Sequence, residues 1–467
     1  MRKLKKSLAF VAAMALAVTA FAGCDDDKKG GNDGGSGNKG YSNGGKVLNV
    51  YCWNTEFKER FEAYYKKDNA DKLKGIEVKF TINPNEQGVY QGKLDQALMQ
   101  QTYVEKDKKI DIFLVEADYA LKYVDSTISL SMEEIGISND DLKDQYQYTK
   151  DIVTDKSGKI KASSWQACPG LFAYRRDIAN EVLGTDDPNE IQKMLADWTK
   201  FDEVAAKMKE KGYFMVSGYD DAYRVFSNNL SGKMVAEDGT LTLDPSLKSW
   251  AEMTKKYTDA GYNQKTSLWA SEWTKGMGSS GKVFGYFFST WGINFSLDEA
   301  SADGAKAGER SGKGTNGKWA ACYGPQSYYW GGTWIMAARG TDNQKEIKDI
   351  IKVLTTDDKV MEKNTRETLD MTNNKTAMNR IANDATYKAE ILGGQNHIAL
   401  FTEAAEKINM KNITAYDLAI TEEFQKAMKD WFDGNKDVPT YDAALKNFYK
   451  NLKARAPSVW TPENPKQ

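Results

Sequence analysis

One histidine, His397, stands in 467 residues. That scarcity excludes zinc sites built on two histidines and leaves a histidine-based nucleophilic triad a single position to use. Cysteine is nearly as rare, at four. Cys24 belongs to the N-terminal segment. Cys52, Cys168 and Cys322 remain, an odd set that argues against a disulfide framework and for buried, inert thiols. Charge of one sign is also missing: 64 lysines and arginines face 66 aspartates and glutamates, a net charge of −2. No basic surplus marks a nucleic-acid partner. Past residue 23 no apolar run approaches the roughly 20 residues that span a bilayer. With 28% charged and 40% hydrophobic residues and a mean hydropathy of −0.64, the mature chain reads as a soluble globular protein. Its length predicts two or three folding units.

The N-terminus reads as an address. Arg2, Lys3, Lys5 and Lys6 precede the uncharged apolar run Leu8 to Ala22, which is too short to span comfortably and fits a signal-peptide core. The run ends in Phe21-Ala22-Gly23-Cys24. This resembles a bacterial lipobox, with Phe21 where leucine is usual, and implies lipidation of Cys24 as the mature N-terminus. Residues 25–45 are Asp, Lys, Gly, Asn and Ser with almost nothing apolar, a composition that cannot bury a core. As a flexible coil they reach roughly 25 Å, a tether between membrane and globule. Loss of the four leader cations leaves a mature net charge of −6.

From Lys46 onward strand and helix patterns alternate. Val47 to Cys52, Ile76 to Ile82 and Ile110 to Val115 read as strands, with helical patterns at Phe57 to Tyr65 and Val89 to Val104. Further strands are expected at Leu171 to Tyr174, Tyr213 to Val216, Lys282 to Phe288 and Ile335 to Ala338. Helices are expected at Asp187-Pro188-Asn189-Glu190, Asp197 to Glu210 and Asp244 to Ala260, and through the last hundred residues. Such alternation implies α/β sheets with largely parallel pairing, whose ligands collect beyond the C-terminal strand ends. The loops concerned are Trp53 to Glu56, Asn83 to Gln87 and Glu116 to Tyr119.

Two motifs fail on context. Gly276, Gly278 and Gly281 spell G-x-G-x-x-G, but they follow a helical stretch and precede a strand, and Val283 stands where a P-loop needs Ser or Thr. Asp151 to Gly158 carries only part of a calcium-loop pattern, which names no metal ligand and leaves a structural metal open; no cofactor is expected. Glu116 and Asp118, two apart at a strand end, face one side, as a glycosidase carboxylate pair would. The alternative is that they bind hydroxyls or cap the next helix.

The excess lies in aromatics, with 12 tryptophans and 24 tyrosines. Trp198, Trp250, Trp431 and Trp460 sit in helical or tail contexts and read as packing. Others stand beside amides, acids or glycines in loops: Trp53-Asn54, Trp165-Gln166, Trp269 and Trp273 around Glu272, Trp291 with Asn294, and Tyr328-Tyr329-Trp330-Gly331-Gly332. A sugar ring has an apolar C–H face and a rim of hydroxyls. Flat aromatics cover the first and polar side chains bond the second.

The chain after the tether resembles the extracellular solute-binding proteins of carbohydrate ABC transporters, the maltose-binding-protein-like family. The resemblance rests on VLNVYCWN with FKERFEAYY, IDIFLVEADYALKYVDS, SSWQACPGLFAYRRDIA, GKVFGYFFSTWGINF and YYWGGTWIMAA. It implies a two-lobed, type II periplasmic-binding-protein-like α/β fold, with a hinged cleft between discontinuous lobes. The expected division is a signal at 1–23 and a tether at 24–45, with 46–164 and 323–355 in one lobe and 165–322 and 356–467 in the other. Crossovers are expected near Ser164, Tyr323 and Thr355. A bridge between Cys168 and Cys322 across the hinge stays open. The resemblance implies that Trp291 stacks on ligand after its strand, that Trp330 is a second platform, and that Gly331 and Gly332 let backbone approach the ligand. Glu116 with Asp118 takes the polar position after the third strand. Trp53, Asn54, Glu56, Trp165, Gln166, Asp220, Asp221, Trp269, Trp273, Asn294, Tyr329, Gln395 and Asn396 complete the expected set. The expected protein is a monomeric, lipid-anchored capture protein for a sugar, with ABC permease subunits as partners and no catalysis. The rival readings are a surface glycoside hydrolase and a binder of a peptide or polyamine.

Overall fold

Short apolar runs build the first and third strands, and alternation of apolar and polar residues the second. β1 (Val47–Cys52) pairs in parallel with β2 (Glu77–Ile82), and on its other side with β3 (Ile112–Glu116), whose first four residues are buried. These assignments come from a computed structural model that describes residues 44–85 and 88–466. The leader, Cys24, nearly all of the tether, and Glu86 and Gln87 lie outside the described residues. Much later in the chain, β10 (Thr333–Ala337) enters this sheet antiparallel to β3, and β4 (Ala162–Ser164) pairs antiparallel to β10. The order β2-β1-β3-β10-β4 therefore combines strands separated by more than 150 residues of chain. The helix after β1 buries Phe57, Phe61, Tyr64 and Tyr65, and its wide turn at Phe61–Lys66 brings both tyrosines inward. Tyr65 donates to Asp349 at 2.7 Å, so the buried ring keeps its polar end satisfied.

A second sheet centres on β5 (Gly170–Arg175), every residue of which is buried. The strands β8 (Gly285–Ser289) and β9 (Trp319–Cys322) flank it antiparallel. β6 (Val216–Gly218) and β7 (Asn263–Thr266) pair in parallel. A bridge between Phe214 and Val283 couples this pair to β8, with Phe284 N–H donating to the Phe214 carbonyl at 2.8 Å. Around it, helices start where the sequence signals: Asp187, Asp197 and Asp244 each accept from first-turn amides, at Pro188–Met194, Trp198–Glu210 and Pro245–Ala260.

The chain divides into two compact units. Both of these sheets and the β6–β7 pair belong to the unit formed by residues 44–234 and 243–417 of the described chain. The other comprises 235–242 and 418–466. In it, Phe424 packs edge-on against Phe448 at 5.4 Å, and Trp460 pairs with residues 239–241 through its backbone.

Expectation and structure differ in the pairing, expected to be largely parallel: four of the seven strand pairs are antiparallel. The reason is that β10 and β4 and the whole β8-β5-β9 sheet join strands distant in the chain rather than successive strand-helix-strand units. Expectation and structure also differ in detail. The helix expected to reach Val104 ends at Met99, and β4, β7 and β9 went unread. Each of these strands is only three or four residues long, and two are polar or small, Ala-Ser-Ser and Asn-Gln-Lys-Thr. The glycine motif has a packing cause. A Cβ on Gly281 would stand 2.0 Å from the Gly276 carbonyl oxygen, and one on Gly276 would stand 2.2 Å from Tyr286 Oη. Backbone folds onto backbone there, which only glycine permits.

His397 is fully buried at the start of the helix His397–Ala405. Its Nε2–H donates to the Leu369 carbonyl at 2.6 Å, and Nδ1 has no hydrogen-bond partner among the described residues. Burial pushes its pKa down to about 4. Between pH 6.5 and 4 the unfolded chain takes up a proton that the folded chain refuses, so stability falls as pH falls. The full effect is ~3 kcal/mol, because each tenfold difference in proton affinity between the folded and unfolded chain is worth about 1.36 kcal/mol. Urea unfolding of the wild type and His397→Gln from pH 7.5 to 4 tests this. The wild type should lose about that much more stability than the variant, since the other titrations are common to both. Parallel profiles would contradict it.

Candidate functional site

Three chain segments cross side by side between the sheets. The segment joining β4 to β5 lies in the middle. On one side Trp330 N–H donates to the Cys168 carbonyl at 3.2 Å, and Gly170 N–H to the Tyr328 carbonyl at 2.6 Å. On the other side Ala167 N–H donates to Met371 at 2.9 Å, and Asn373 N–H to Trp165 at 2.8 Å. Cys168 (φ 51), Gly331 (φ 77), Gly332 (φ 107) and Leu369 (φ 61) place left-handed backbone in or beside all three segments. A side chain on Gly332 would meet the Trp334 ring at 2.9 Å, so glycine is required there on two counts.

Polar side chains tie this crossing to both sheets. Gln166 donates to Asp370 Oδ2 at 2.9 Å and to Glu56 Oε1, beyond β1, at 3.2 Å. Thr290, beyond β8, donates to Asp370 Oδ1 at 2.8 Å. Burial raises the Asp370 carboxyl, with the Gln166 and Thr290 hydrogen bonds opposing. Burial likewise pushes Glu56 up to about 7, Arg60 opposing and Asp370 adding. Among the described residues Cys52, Cys168 and Cys322 are free, and all three are buried. Burial pushes the thiols of Cys52 and Cys322 up to about 12 and raises Cys168 too, which keeps all three as unreactive thiols.

Beside the crossing, loops from the two sheets meet. Glu116 ends β3 and Trp291 follows β8, and both flank Gly331. A Cβ on Gly331 would lie 3.2 Å from Trp291 Nε1 and 3.8 Å from Glu116 Oε1. Trp291 Nε1–H donates to the Trp330 carbonyl at 2.8 Å, which fixes the indole. Trp269 stacks on Trp291 with centroids 6.2 Å apart and planes at 29°, and Trp330 and Phe295 close in at 5.3 and 5.9 Å from Trp291. On the first sheet's side, half-buried Trp53 meets Tyr90 and Tyr119 edge-on at 5.4 and 6.4 Å. The buried Tyr119 hydroxyl has no hydrogen-bond partner among the described residues. Asn54 beside Trp53 accepts from Glu56 N–H at 3.1 Å, and Asn294 near Trp291 is exposed.

The acids here divide by partner. Asp118, on the loop after β3, receives both Arg224 Nη1 and Nη2, at 2.7 and 2.5 Å. Arg224 belongs to the short helix Tyr223–Ser227 after β6, so this pair joins the two sheets' loops. Both side chains are largely buried, at 7% and 17% exposure. Burial works against the Arg224 charge, yet Asp118, with Glu116 adding, holds its pKa above the ordinary value. Asp118 is thus committed to a bidentate pair, and Glu116 and Asp118 do not form two free carboxylates across one bond. Asp221 accepts from Ser217 and Gly218 N–H and from Trp273 Nε1, each at 2.7 Å, and burial pushes it up to about 6. Asp220 accepts from Leu268 N–H at 3.1 Å.

Other expected residues are taken up by the fold. Trp165, 2% exposed, packs on Phe57 at 5.7 Å. Trp273, 1% exposed, lies under Trp269 against Tyr286 and Phe288. Tyr329 is buried, its N–H bound to Asn228. Gln395 pairs both its amide atoms with the Ala321 backbone at 2.8 Å, closing the edge of β9. Asn396 caps the helix that begins at His397 and donates to the Ile381 carbonyl. Arg224, Thr290, Asp370 and Phe295 escaped the sequence reading. A signal existed for Arg224, a cation between buried Tyr223, Val225 and Phe226, because a charge in such a run needs an acid partner.

Comparison with known proteins follows the same lines. Residues 60–392 match the family described as bacterial extracellular solute-binding protein. No curated protein matches the sequence. Among solved structures, the ABC transporter associated binding protein from B. animalis subsp. lactis Bl-04, in complex with beta-1,6-galactobiose, aligns with a TM-score of 0.66 at 17% identity, over 89% of this chain and 99% of that one. The lacto-N-biose complex of the galacto-N-biose-/lacto-N-biose I-binding protein from Bifidobacterium longum aligns at 0.65 and 12%, over 89% and 97%. Maltose-bound MalE3 from T. maritima aligns at 0.61 and 15%, over 87% and 99%. At these identities the likeness is one of fold, the two-lobed α/β fold of solute-binding proteins. With the family matched over residues 60–392, which hold the crossing between the sheets and every strand but β1, the chain belongs to the bacterial extracellular solute-binding proteins.

Proposed function

We propose that the protein captures a sugar or short oligosaccharide outside the membrane and hands it to the permease of an ABC importer. The observation that carries this reading is the meeting of Trp291 and Glu116 around Gly331, an aromatic face and a carboxylate contributed by different sheets. One covers the C–H face of a pyranose and the other bonds its hydroxyls. Trp330, Trp269, Trp53, Asn54 and Asn294 extend the same surface chemistry. Trp165, Trp273, Tyr329, Gln395 and Asn396 serve it by holding backbone in place. That several solved structures of this fold carry galactobiose, lacto-N-biose or maltose supports the ligand class. In this reading the two lobes divide at the crossing segments, near residues 165–170, 328–332 and 369–373. They close with Asp118 against Arg224, and the closed form is what the permease recognises. The leader and Cys24 anchor a monomeric chain to the outer membrane face by lipid, and the chain performs no chemistry on its ligand.

Thermal-shift screening against sugars, peptides and polyamines tests the ligand class. A ligand at about 100 times its dissociation constant adds ~2.7 kcal/mol, and sugars should produce the shift. Shifts from peptides or amines alone would refute it. Two substitutions then separate site from core. Trp291→Ala should weaken binding of the responding sugar by tenfold or more, ~1.4 kcal/mol or above. Trp250 is fully buried against Tyr223 at 4.8 Å, so Trp250→Ala should cost ~3–5 kcal/mol of stability and leave affinity per folded molecule near wild type. Equal affinity losses in the two would contradict the assignment.

A further inference from the structure

The aromatic surface does not end at Trp291. From there the rings step outward: Trp330 is 9% exposed, Trp269 49% and Phe295 63%. The rings are continuous: Trp269 lies 5.9 Å from Trp330 and is tilted 29° from the plane of Trp291, and Phe295 stands edge-on to Trp269 and Trp291 at 6.4 and 5.9 Å. Large apolar side chains left this exposed forgo the free energy that burial would supply, and a contiguous patch of them marks an interaction site. The backbone adds a second observation. Trp269 has φ 67, left-handed backbone that a bulky residue adopts at a cost. The surroundings impose it. Leu268 N–H is held by Asp220, and the Trp269 ring rests on Trp273, whose Nε1 is anchored to Asp221. Strain and buried hydrogen bonds thus hold an indole half in solvent. Exposed Glu272 and Asn294, beside Trp273 and Phe295 in the chain, put hydrogen-bonding groups next to these rings.

We propose that Trp269 and Phe295 form an outer shelf that binds further units of an oligosaccharide whose inner unit lies at Trp291, so that the protein selects ligands by chain length. The inference rests on the sugar reading above and deepens it. Continuity with Trp291 favours a sugar chain over a protein partner as the occupant. A chain of pyranoses leaving the inner site has stacking faces along its path, and each unit adds contact without new side-chain ordering.

Titration calorimetry on the full chain tests the shelf, with malto-, cello-, xylo-, manno- and galacto-oligosaccharides of two to six units. Within a series that binds, the dissociation constant should fall about three- to tenfold at the added unit that reaches the shelf. The ratio of long-chain to short-chain affinity should collapse toward one in Trp269→Ala and Phe295→Ala. It should persist in Tyr103→Ala, whose ring is 88% exposed after the helix Val89–Met99. Trp269→Gly, which suits the left-handed backbone, repeats the test should the alanine variant fold poorly. Equal affinity at every length, or a ratio unchanged in the shelf variants, would overturn the shelf while leaving sugar capture standing. Silence from every series would overturn the sugar reading and the shelf with it.

Discussion

The candidate site depends on the crossing of three backbone segments between two sheets. Residues 165–170 are hydrogen-bonded on one flank to 328–330 and on the other to 371–373. Through this narrow junction β10 returns to the first sheet after the second is complete. The junction therefore fixes where the loops beyond β1 and β3 stand relative to those beyond β6 and β8. Its backbone carries left-handed residues at Cys168 and Leu369 as well as at Gly331 and Gly332. Such positions persist only where surrounding bonds over-determine them, and they concentrate where a structure moves or binds. The buried hub of Gln166, Asp370, Thr290 and Glu56 supplies those bonds from both sides.

The ion pair of Asp118 and Arg224 makes a second tie between the sheets' loops, away from the crossing. A buried ion pair is weak evidence for stability, since desolvation offsets most of its attraction. What it does supply is register, because the guanidinium fork accepts a carboxylate in one geometry. In the proposed mechanism this suits a contact that forms on closing and breaks on opening. A purely apolar interface would hold the closed form more tightly and with less definition. Ligand binding would then shift a balance between two arrangements, to the extent of its preference for the closed one.

The two-sheet α/β plan was legible because the long strands are apolar and the helix starts carry Asp caps. Val47–Cys52, Ile112–Glu116 and Gly170–Arg175 show it for strands, Asp187 and Asp244 for helices. Ala162–Ser164 was not legible, since three small residues become a strand only when β10 returns from far along the chain to pair with them. The candidate site was half legible. Tryptophans beside polar residues did gather at Trp291, Trp330 and Trp269, but the same pattern at Trp165 and Trp273 belongs to packing. Adjacent-residue chemistry cannot separate these cases, because burial is decided by elements distant in sequence. Gln395 illustrates the limit: its amide completes the edge of β9 through the Ala321 backbone, a partner 74 positions away. Asp118 was read for hydroxyls and is held by Arg224, a partner 106 positions off.

The central claim is that capture takes place where the two sheets' loops meet beside the crossing. A crystal structure of the protein with the oligosaccharide that it binds most tightly tests this most directly. The account predicts a sugar ring lying face-on to Trp291, with a hydroxyl within hydrogen-bond distance of the Glu116 carboxylate. A sugar seated elsewhere, with Trp291 and Glu116 untouched, would contradict it.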